Sequence, residues 1–218
     1  MNNKNYTKEQ AVRIVTECAH EYDKHLKNRR FLLAYKENNT LRYTIVLFQS
    51  HNYLHLTGLK IPYVIKDGQE VPKISSDEFY AKCMNHRLSA NDFNIDKAGN
   101  CHLKLSVLHM VPTMFYNHNL VGDFLRIGQQ IEADYFIGMP NKYVSLGFRR
   151  HTSKNNYPVS LYKQDINQLT TNAFKIIGIW RLDRKQSVNT YLAREQDEET
   201  LTKHLLAIDA PLKLPVTV

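Results

Sequence analysis

Residues 31–58 read FLLAYKENNTLRYTIVLFQSHNYLHLTG, and they indicate the fold more directly than any other part of the chain. The apolar and β-branched segments 31–36 and 41–50 predict two strands. Asparagines at the intervening positions tolerate the positive φ of a tight turn, so we expect these strands to form a hairpin. The run 52–58 that follows is predicted to be the end of a further strand, with His55 between two leucines. A strand end can hold a catalytic imidazole at an open position, although this spacing also fits a buried core histidine.

Helical patterns lie on both sides of this region. Thr7 and Gln10 form a capping-box pattern at the start of an amphipathic segment, which predicts a helix over residues 7–26. Residues 75–125 are predicted to be a helical insertion, in which a helix near 103–115 is interrupted at a proline.

The second half of the chain alternates β-rich segments with polar turns. It predicts strands at 131–138, 143–150, 157–163 and 174–182, and a terminal helix at 197–208. Helix, hairpin, helices and antiparallel strands in this order predict an α+β fold, with one domain over residues 1–183 and a C-terminal helix and tail over 184–218.

Composition restricts the class of protein and of partner. The chain has 218 residues, 43% of them hydrophobic, which is typical of a folded domain. A formal net charge of +8 favours an anionic partner, RNA or DNA. Three cysteines without a paired spacing indicate a reducing compartment, and no segment is apolar enough to span a bilayer. We therefore expect a cytoplasmic protein with no membrane partner, located in the host cytoplasm if a phage encodes it.

Four segments together resemble one protein family. They are FLLAYK at 31–36, NYLHLTGL at 52–59, VSLGFR at 144–149 and YPVSL at 157–161. In order and spacing they resemble the fourth phage-associated family of barnase–EndoU–colicin–RelE-like nucleases, over about residues 1–163 and less closely to about 183. The resemblance implies an antiparallel sheet of that nuclease type, with the N-terminal helix and hairpin in front of it.

The resemblance also implies a set of site residues. Its catalytic positions correspond to His55, Arg149 and Ser160, with His55 as the acid–base group and Arg149 on the phosphate. The residues expected to bind substrate are Thr57, Lys60, Lys142, Tyr143 and Tyr162. A basic cluster for RNA binding is predicted at Lys142, Arg149, Arg150 and Lys154. These are the groups that RNA cleavage by an attacking 2′-hydroxyl requires, namely a proton acceptor, a proton donor and cations for the phosphate.

Patterns typical of metal or nucleotide sites do not occur in the sequence. There is no HExxH, GxxxxGK[ST], GxGxxG or GxSxG, and His102 and His109 are not at a zinc-binding spacing. We therefore predict no cofactor and no metal.

Three functions remain open from the sequence. The first is a metal-independent endoribonuclease, acting as a toxin-like or phage effector. The second is a non-catalytic binding protein of phage or mobile-element origin that acts on a host defence protein or another host factor. The third is an ADP-ribosyltransferase, which would need a catalytic glutamate on a later strand, and Glu132 on the predicted strand 131–138 is the only strand acid placed to serve. Convergence of His55, Arg149 and Ser160 in one basic cleft favours the nuclease.

Overall fold

The computed structural model describes residues 5–96, 100–125, 132–140, 142–151 and 155–214. Its helices are α1 (Lys8–His25), α2 (Asn52–Thr57), α3 (Ser76–Met84), α4 (Cys101–Val107) and α5 (Glu198–Leu206), with 3₁₀ helices at Leu108–Tyr116 and Ile166–Gln168. The strands are β1 (Arg30–Glu37), β2 (Thr40–Leu47), β3 (Tyr63–Lys66), β4 (Gln69–Pro72), β5 (Leu120–Phe124), β6 (Tyr135–Met139), β7 (Val144–Arg149), β8 (Tyr157–Tyr162), β9 (Thr170–Leu182) and β10 (Ser187–Leu192). The predicted α+β class is confirmed.

One large antiparallel sheet organises the domain. Its strand order is β2-β1-β9-β5-β6-β7-β8, with β10 also paired to β9. The long strand β9 pairs with β5 along its first half and with β1 along its second half. The outermost strands β2 and β8 meet through a parallel bridge between Val46 and Asn156, so the sheet curls strongly toward closure.

Helices cover the face of the sheet that carries the main core. Phe31 at the start of β1 stacks on Phe115 of the 3₁₀ helix, and both rings contact Phe48. Helices α1, α3 and α4 add their apolar faces to the same cluster. A smaller cluster on the opposite face joins Trp180 of β9 to Leu205 of α5. Burial of two sheet faces against helices is the layered arrangement expected of an α+β domain.

Local signals predicted several elements correctly. Thr7 caps α1 through its hydroxyl, which accepts from the Gln10 amide at 3.2 Å, while the Gln10 side chain accepts from the Thr7 amide at 3.0 Å. β1 and β2 form the predicted hairpin, and Asn38 and Asn39 take positive φ angles of 48° and 63°. The helix predicted near Pro112 is α4 followed by a 3₁₀ segment that contains this proline.

The prediction that residues 52–58 end a strand is wrong. These residues form α2, which ends at Gly58 with a left-handed φ of 72°. The segment fits both periods, because Leu54 and Leu56 alternate as in a strand while Tyr53, Leu56 and Thr57 share a helical face. Packing of that helical face into the core decides for the helix. The hairpin β3–β4 and the strands β5 and β10 were not predicted either.

Candidate active site

His55 projects from the solvent-facing side of α2. Tyr53, Leu56 and Thr57 are buried on the other side of the helix, and α2 packs against β8 and α4. His51 precedes His55 by four residues, so both imidazoles lie on one face. The short helix therefore positions two imidazoles beside β8, the last strand of the sheet.

A cleft of about 430 Å³ opens between α2 and the end of the sheet. We call it the histidine cleft, and its lining residues are His51, Asn52, His55, Glu132, Arg149, Tyr157, Pro158, Val159, Ser160 and Tyr162. The three residues predicted to be catalytic, His55, Arg149 and Ser160, are thus brought together from α2, β7 and β8. Tyr162, predicted to bind substrate, lines the same cleft.

An irregular pairing of β7 with β8 shapes the cleft wall. Gly147 pairs with Ser160, but the next residue, Phe148, pairs with Pro158, so Val159 is an extra residue in β8. Such a bulge bends a strand and redirects its side chains, and bulges are common beside active sites. Pro158 is accommodated because β8 ends the sheet order. The bulge lies where Arg149 and Ser160 face the cleft.

Lys104 of α4 belongs to this site although the sequence patterns did not identify it. Its Nζ donates to Ser160 Oγ at 2.9 Å and to the His55 carbonyl at 3.3 Å. The same ammonium lies 5.9 Å from the centroid of the Tyr162 ring. Lys104 therefore connects α4 to both α2 and β8 and places a cation against the Ser160 hydroxyl.

Gly58 makes room for Lys104. A Cβ at Gly58 would lie 2.8 Å from Lys104 Cδ, closer than Cβ atoms approach other atoms, and 3.1 Å from Cys101 Cα, which is a tight contact. The φ of 72° at Gly58 is also one that glycine adopts most readily. The glycine after the histidine run thus both ends α2 and lets the lysine reach Ser160.

A signal for Lys104 was present in the sequence but is easily overlooked. Cys101, Leu105 and Leu108 form the buried stripe of this segment, and Lys104, three residues after Cys101, lies on its border. A lysine at the edge of an apolar stripe most often packs its aliphatic chain on that stripe and extends its ammonium group into solvent. Its two acceptors come from distant parts of the chain, so sequence spacing does not predict them.

The electrostatics of the cleft favour a neutral His55. Partial desolvation in the cleft lowers the pKa of the His55 imidazole below its usual value, and the charges of Lys104 and His51 lower it further. Burial also lowers the pKa of Lys104. Because its pKa is lowered, the imidazole is deprotonated at neutral pH and can accept a proton.

Arg149 and Glu132 form an ion pair in the cleft, with Nη2 and Oε2 3.2 Å apart. Their side chains are 44% and 82% exposed, so the pair is held weakly and solvent screens it. A guanidinium has five N–H donors, and this contact uses one of them. Arg149 can therefore bind a phosphate from its position in the cleft.

Four predicted binding residues lie elsewhere. Thr57 is fully buried, and its hydroxyl donates to the Leu54 carbonyl at 2.7 Å and accepts from the Leu59 amide at 3.1 Å, so it stabilises the end of α2. This is a correction to the prediction that Thr57 contacts phosphate. Lys60 pairs with Asp96 at 2.7 Å, away from the cleft lining. Lys142 and Tyr143 are exposed and also lie outside the lining, while the predicted cluster member Lys154 is outside the described residues.

Few of the described residues suit a metal site or a cysteine nucleophile. Among the residues that the structure describes, no three His, Cys, Asp or Glu side chains lie close enough together to hold a metal ion. Cys101 lies beside the site, but burial raises the pKa of its thiol to about 11 and its sulfur contacts the Thr57 carbonyl at 3.7 Å. No described helix is long and apolar enough to cross a membrane.

The chain matches a known protein family over most of its length. A family model described as phage-Barnase-EndoU-ColicinE5/D-RelE like nuclease4 matches residues 14–198, a range that contains His55, Lys104, Arg149 and Ser160. No curated protein and no solved structure matches the chain significantly.

Proposed function

The chain belongs to the phage barnase–EndoU–colicin E5/D–RelE-like nucleases, and from this premise we propose that it is a metal-independent endoribonuclease. The single observation that supports RNA as the substrate is the composition of the histidine cleft. It places an imidazole with a lowered pKa in one lining with the Arg149 guanidinium and the Ser160 hydroxyl, and Lys104 donates to that hydroxyl from behind the lining. These groups suit a reaction whose nucleophile is already part of the substrate.

In the proposed reaction the RNA 2′-hydroxyl attacks its own 3′-phosphorus. His55 takes the proton of that hydroxyl, the new 2′-oxygen–phosphorus bond forms, and the bond to the 5′-oxygen of the next nucleotide breaks. The leaving oxygen takes a proton, so the products are a 2′,3′-cyclic phosphate and a free 5′-hydroxyl. His51, one helical turn before His55 in the same cleft, is assigned as the proton donor.

Stabilisation of the phosphate is assigned to the opposite side of the cleft. Charge builds on the non-bridging oxygens as the 2′-oxygen attacks, and fixed donors lower the barrier most when they are placed before the reaction. Lys104 holds the Ser160 hydroxyl at 2.9 Å, so both groups are fixed in place without substrate. Arg149 adds a planar guanidinium that can exchange its exposed partner Glu132 for the phosphate.

Glu132 motivates a second candidate function. It lines the same cleft as His55, as an ADP-ribosyltransferase would require of its acid. However, Glu132 lies before β6 rather than on it and is paired with Arg149. Release of nicotinamide when the protein is incubated with nicotinamide adenine dinucleotide would support this second function.

The test of the nuclease uses purified protein with mixed RNA in the presence of EDTA. We expect cleavage products that end in a 2′,3′-cyclic phosphate, and no cleavage of an oligonucleotide that carries 2′-deoxyribose at every position. His55→Ala should slow cleavage by about a hundredfold or more. His204→Ala, an exposed histidine on α5, is the matched control and should cleave as the unaltered protein does.

Two results would contradict the proposal. Equal cleavage of DNA and RNA would show that the 2′-hydroxyl is not the nucleophile. RNA binding without cleavage would favour the non-catalytic binding protein, which acts on a host factor rather than on the RNA backbone.

A further inference from the structure

A second cavity of about 540 Å³ shares no lining residue with the histidine cleft. We call it the inner cavity, and its lining residues are Arg30, Tyr35, Glu37, Tyr43, Thr44, Ile45, Val121, Gly122, Asp123, Tyr135, Arg150, His151, Asn156, Phe174, Asp209 and Pro211. Its volume is in the range of sites that hold a small organic group. Nothing in the proposed chemistry uses it.

Aromatic rings form part of its wall. Tyr35 and Phe174 stack with their centroids 6.2 Å apart and their planes 24° from parallel, and both rings are half-buried. The Arg150 guanidinium lies 5.5 Å from the centroid of the Tyr135 ring. Flat ring faces and guanidinium planes are the surfaces on which unpaired nucleobases stack in RNA-binding proteins.

The lining of the inner cavity contains more carboxylates than guanidinium groups. The guanidinium groups of Arg30 and Arg150 share the lining with the carboxylates of Glu37, Asp123 and Asp209. Arg150 is already paired with Asp123, with Nη2 and Oδ1 2.6 Å apart. A phosphate would meet carboxylates here, whereas an uncharged ring with both donors and acceptors finds complementary groups.

The floor of the cavity is polar and preorganised. Tyr135 is 3% exposed, and its hydroxyl lies 3.2 Å from Thr44 Oγ1, to which Asn156 Nδ2 donates at 2.9 Å. These groups join β6, β2 and β8 at the point where the curled sheet approaches closure. A buried hydrogen-bonded network of this kind can discriminate the edges of a planar ligand.

Residues that are neighbours in the chain line the two cavities. Arg149 lines the histidine cleft while Arg150 lines the inner cavity, because successive residues at the end of β7 point to opposite faces. Tyr157 and Asn156 are divided between the cavities in the same way. A polynucleotide bound at Arg149 therefore needs to pass around the edge formed by the end of β7 and the start of β8 to reach the inner cavity.

We propose that the inner cavity binds a nucleobase from a single-stranded segment that flanks the scissile phosphate. This inference rests on the proposed endoribonuclease function and specifies its substrate as RNA with an unpaired base near the cleavage point. The histidine cleft holds the phosphate, and the inner cavity holds the base against the rings of Tyr35 and Phe174 and the guanidinium of Arg150.

The test measures binding separately from cleavage. Short single-stranded RNA with 2′-deoxyribose at the cleavage position is titrated against the unaltered protein, Phe174→Ala and Asp123→Asn. We expect Phe174→Ala to weaken binding about 5- to 150-fold, the range found when a stacking ring is removed. Asp123→Asn keeps the size of the side chain and should change the preference among the four bases. Tyr63→Ala, at a tyrosine that is 62% exposed and lines neither cavity, should bind as the unaltered protein does.

A second measurement locates the base directly. Adenosine, guanosine, cytidine and uridine are added to the isotope-labelled protein, and amide shifts are followed by NMR, with inorganic phosphate as a separate probe. We expect at least one nucleoside to shift residues of β1, β5 and β9, and phosphate to shift residues of α2 and β8.

The inference is overturned if both variants bind RNA as the unaltered protein does, or if all nucleosides shift the histidine cleft alone. That failure is distinct from failure of the proposed function. RNA that binds through Phe174 without ever being cleaved would contradict the nuclease and leave the base site in place.

Discussion

Lys104 Nζ lies 2.9 Å from Ser160 Oγ, although Lys104 is on α4 and Ser160 is on β8, 56 residues later in the chain. The same ammonium donates to the carbonyl of His55. The partly buried side chain of Lys104 thus fixes the position of a hydroxyl and of the helix that carries the imidazole. The charge of Lys104, the space around its stem and the groups it holds can each be altered separately.

Replacement of Lys104 tests whether its charge contributes to the reaction. Lys104→Met keeps most of the stem but removes the cation beside Ser160, so we expect the rate of the cleavage step to fall about 10²- to 10³-fold, the usual effect of losing one preorganised donor. The rate of RNA cleavage under single-turnover conditions measures this. Lys203→Met, on the exposed side of α5, is the control and should have no effect. An unchanged rate in Lys104→Met would leave Lys104 with a structural role alone.

The pH dependence of cleavage reports on His55. Its pKa is lowered from the usual 6.5 by burial, and it must be deprotonated to act as the base. Cleavage should therefore increase with pH along an acid limb whose midpoint lies below 6.5. A profile of kcat/KM against pH, measured with a short RNA, checks this. An acid limb centred above pH ~7 would contradict the assignment of His55 as the base.

Gly58→Ala tests the space that Lys104 occupies. The alanine would have an unfavourable left-handed φ, and its Cβ would lie only 2.8 Å from Lys104 Cδ and would also crowd Cys101. We expect the free energy of unfolding to fall by about 2–5 kcal/mol, the sum of backbone strain and overpacking, and cleavage to weaken.

Gly68 provides a matched control for that substitution. It has nearly the same φ, 76°, but a Cβ added there would have no other atom within 4 Å. Gly68→Ala should therefore cost about 1–2 kcal/mol from the backbone alone and leave cleavage unchanged. Urea denaturation of both variants gives the comparison, and equal losses of stability would show that the contact with Lys104 does not matter.

Thr57→Val separates a structural role from a phosphate contact. The buried hydroxyl has a donor and an acceptor at the end of α2, and valine has a similar shape without either. The loss of its hydrogen bonds, with the Leu59 amide left unpaired, should lower the free energy of unfolding by about 1–3 kcal/mol. The KM for RNA of the folded variant should not change. A large increase in KM at unchanged stability would restore the phosphate contact expected from the sequence.

Arg149→Gln tests the phosphate contact through salt dependence. Each phosphate neutralised on single-stranded RNA contributes a slope of about −0.7 to log affinity against log salt concentration, so removal of Arg149 should reduce the slope by about that amount. Titrations of non-cleavable RNA at several salt concentrations measure the slope. Arg13→Gln, at an exposed position on α1, is the control. The same slope in Arg149→Gln and in the unaltered protein would remove Arg149 from the phosphate site.

Local sequence signals determined much of the secondary structure of this protein. The capping box of Thr7 and Gln10 predicted the start of α1, and the paired asparagines at 38 and 39 predicted the turn of the first hairpin. These signals depend on interactions between residues that are close in the chain, so they can be identified from a single sequence. The resemblance to a nuclease family likewise singled out His55, Arg149 and Ser160, which line one cleft.

Tertiary structure alone decided the rest. Residues 52–57 fit a helix and a strand equally well until the burial of Tyr53 and Leu56 selected the helix, and β5 became a strand through pairing with the distant β9. The local pattern around Lys104 did not identify its partners, because Ser160 and the His55 carbonyl are 56 and 49 residues away in the chain. Local patterns determine which segments can become helices or strands, whereas long-range packing determines which side chains share a cleft.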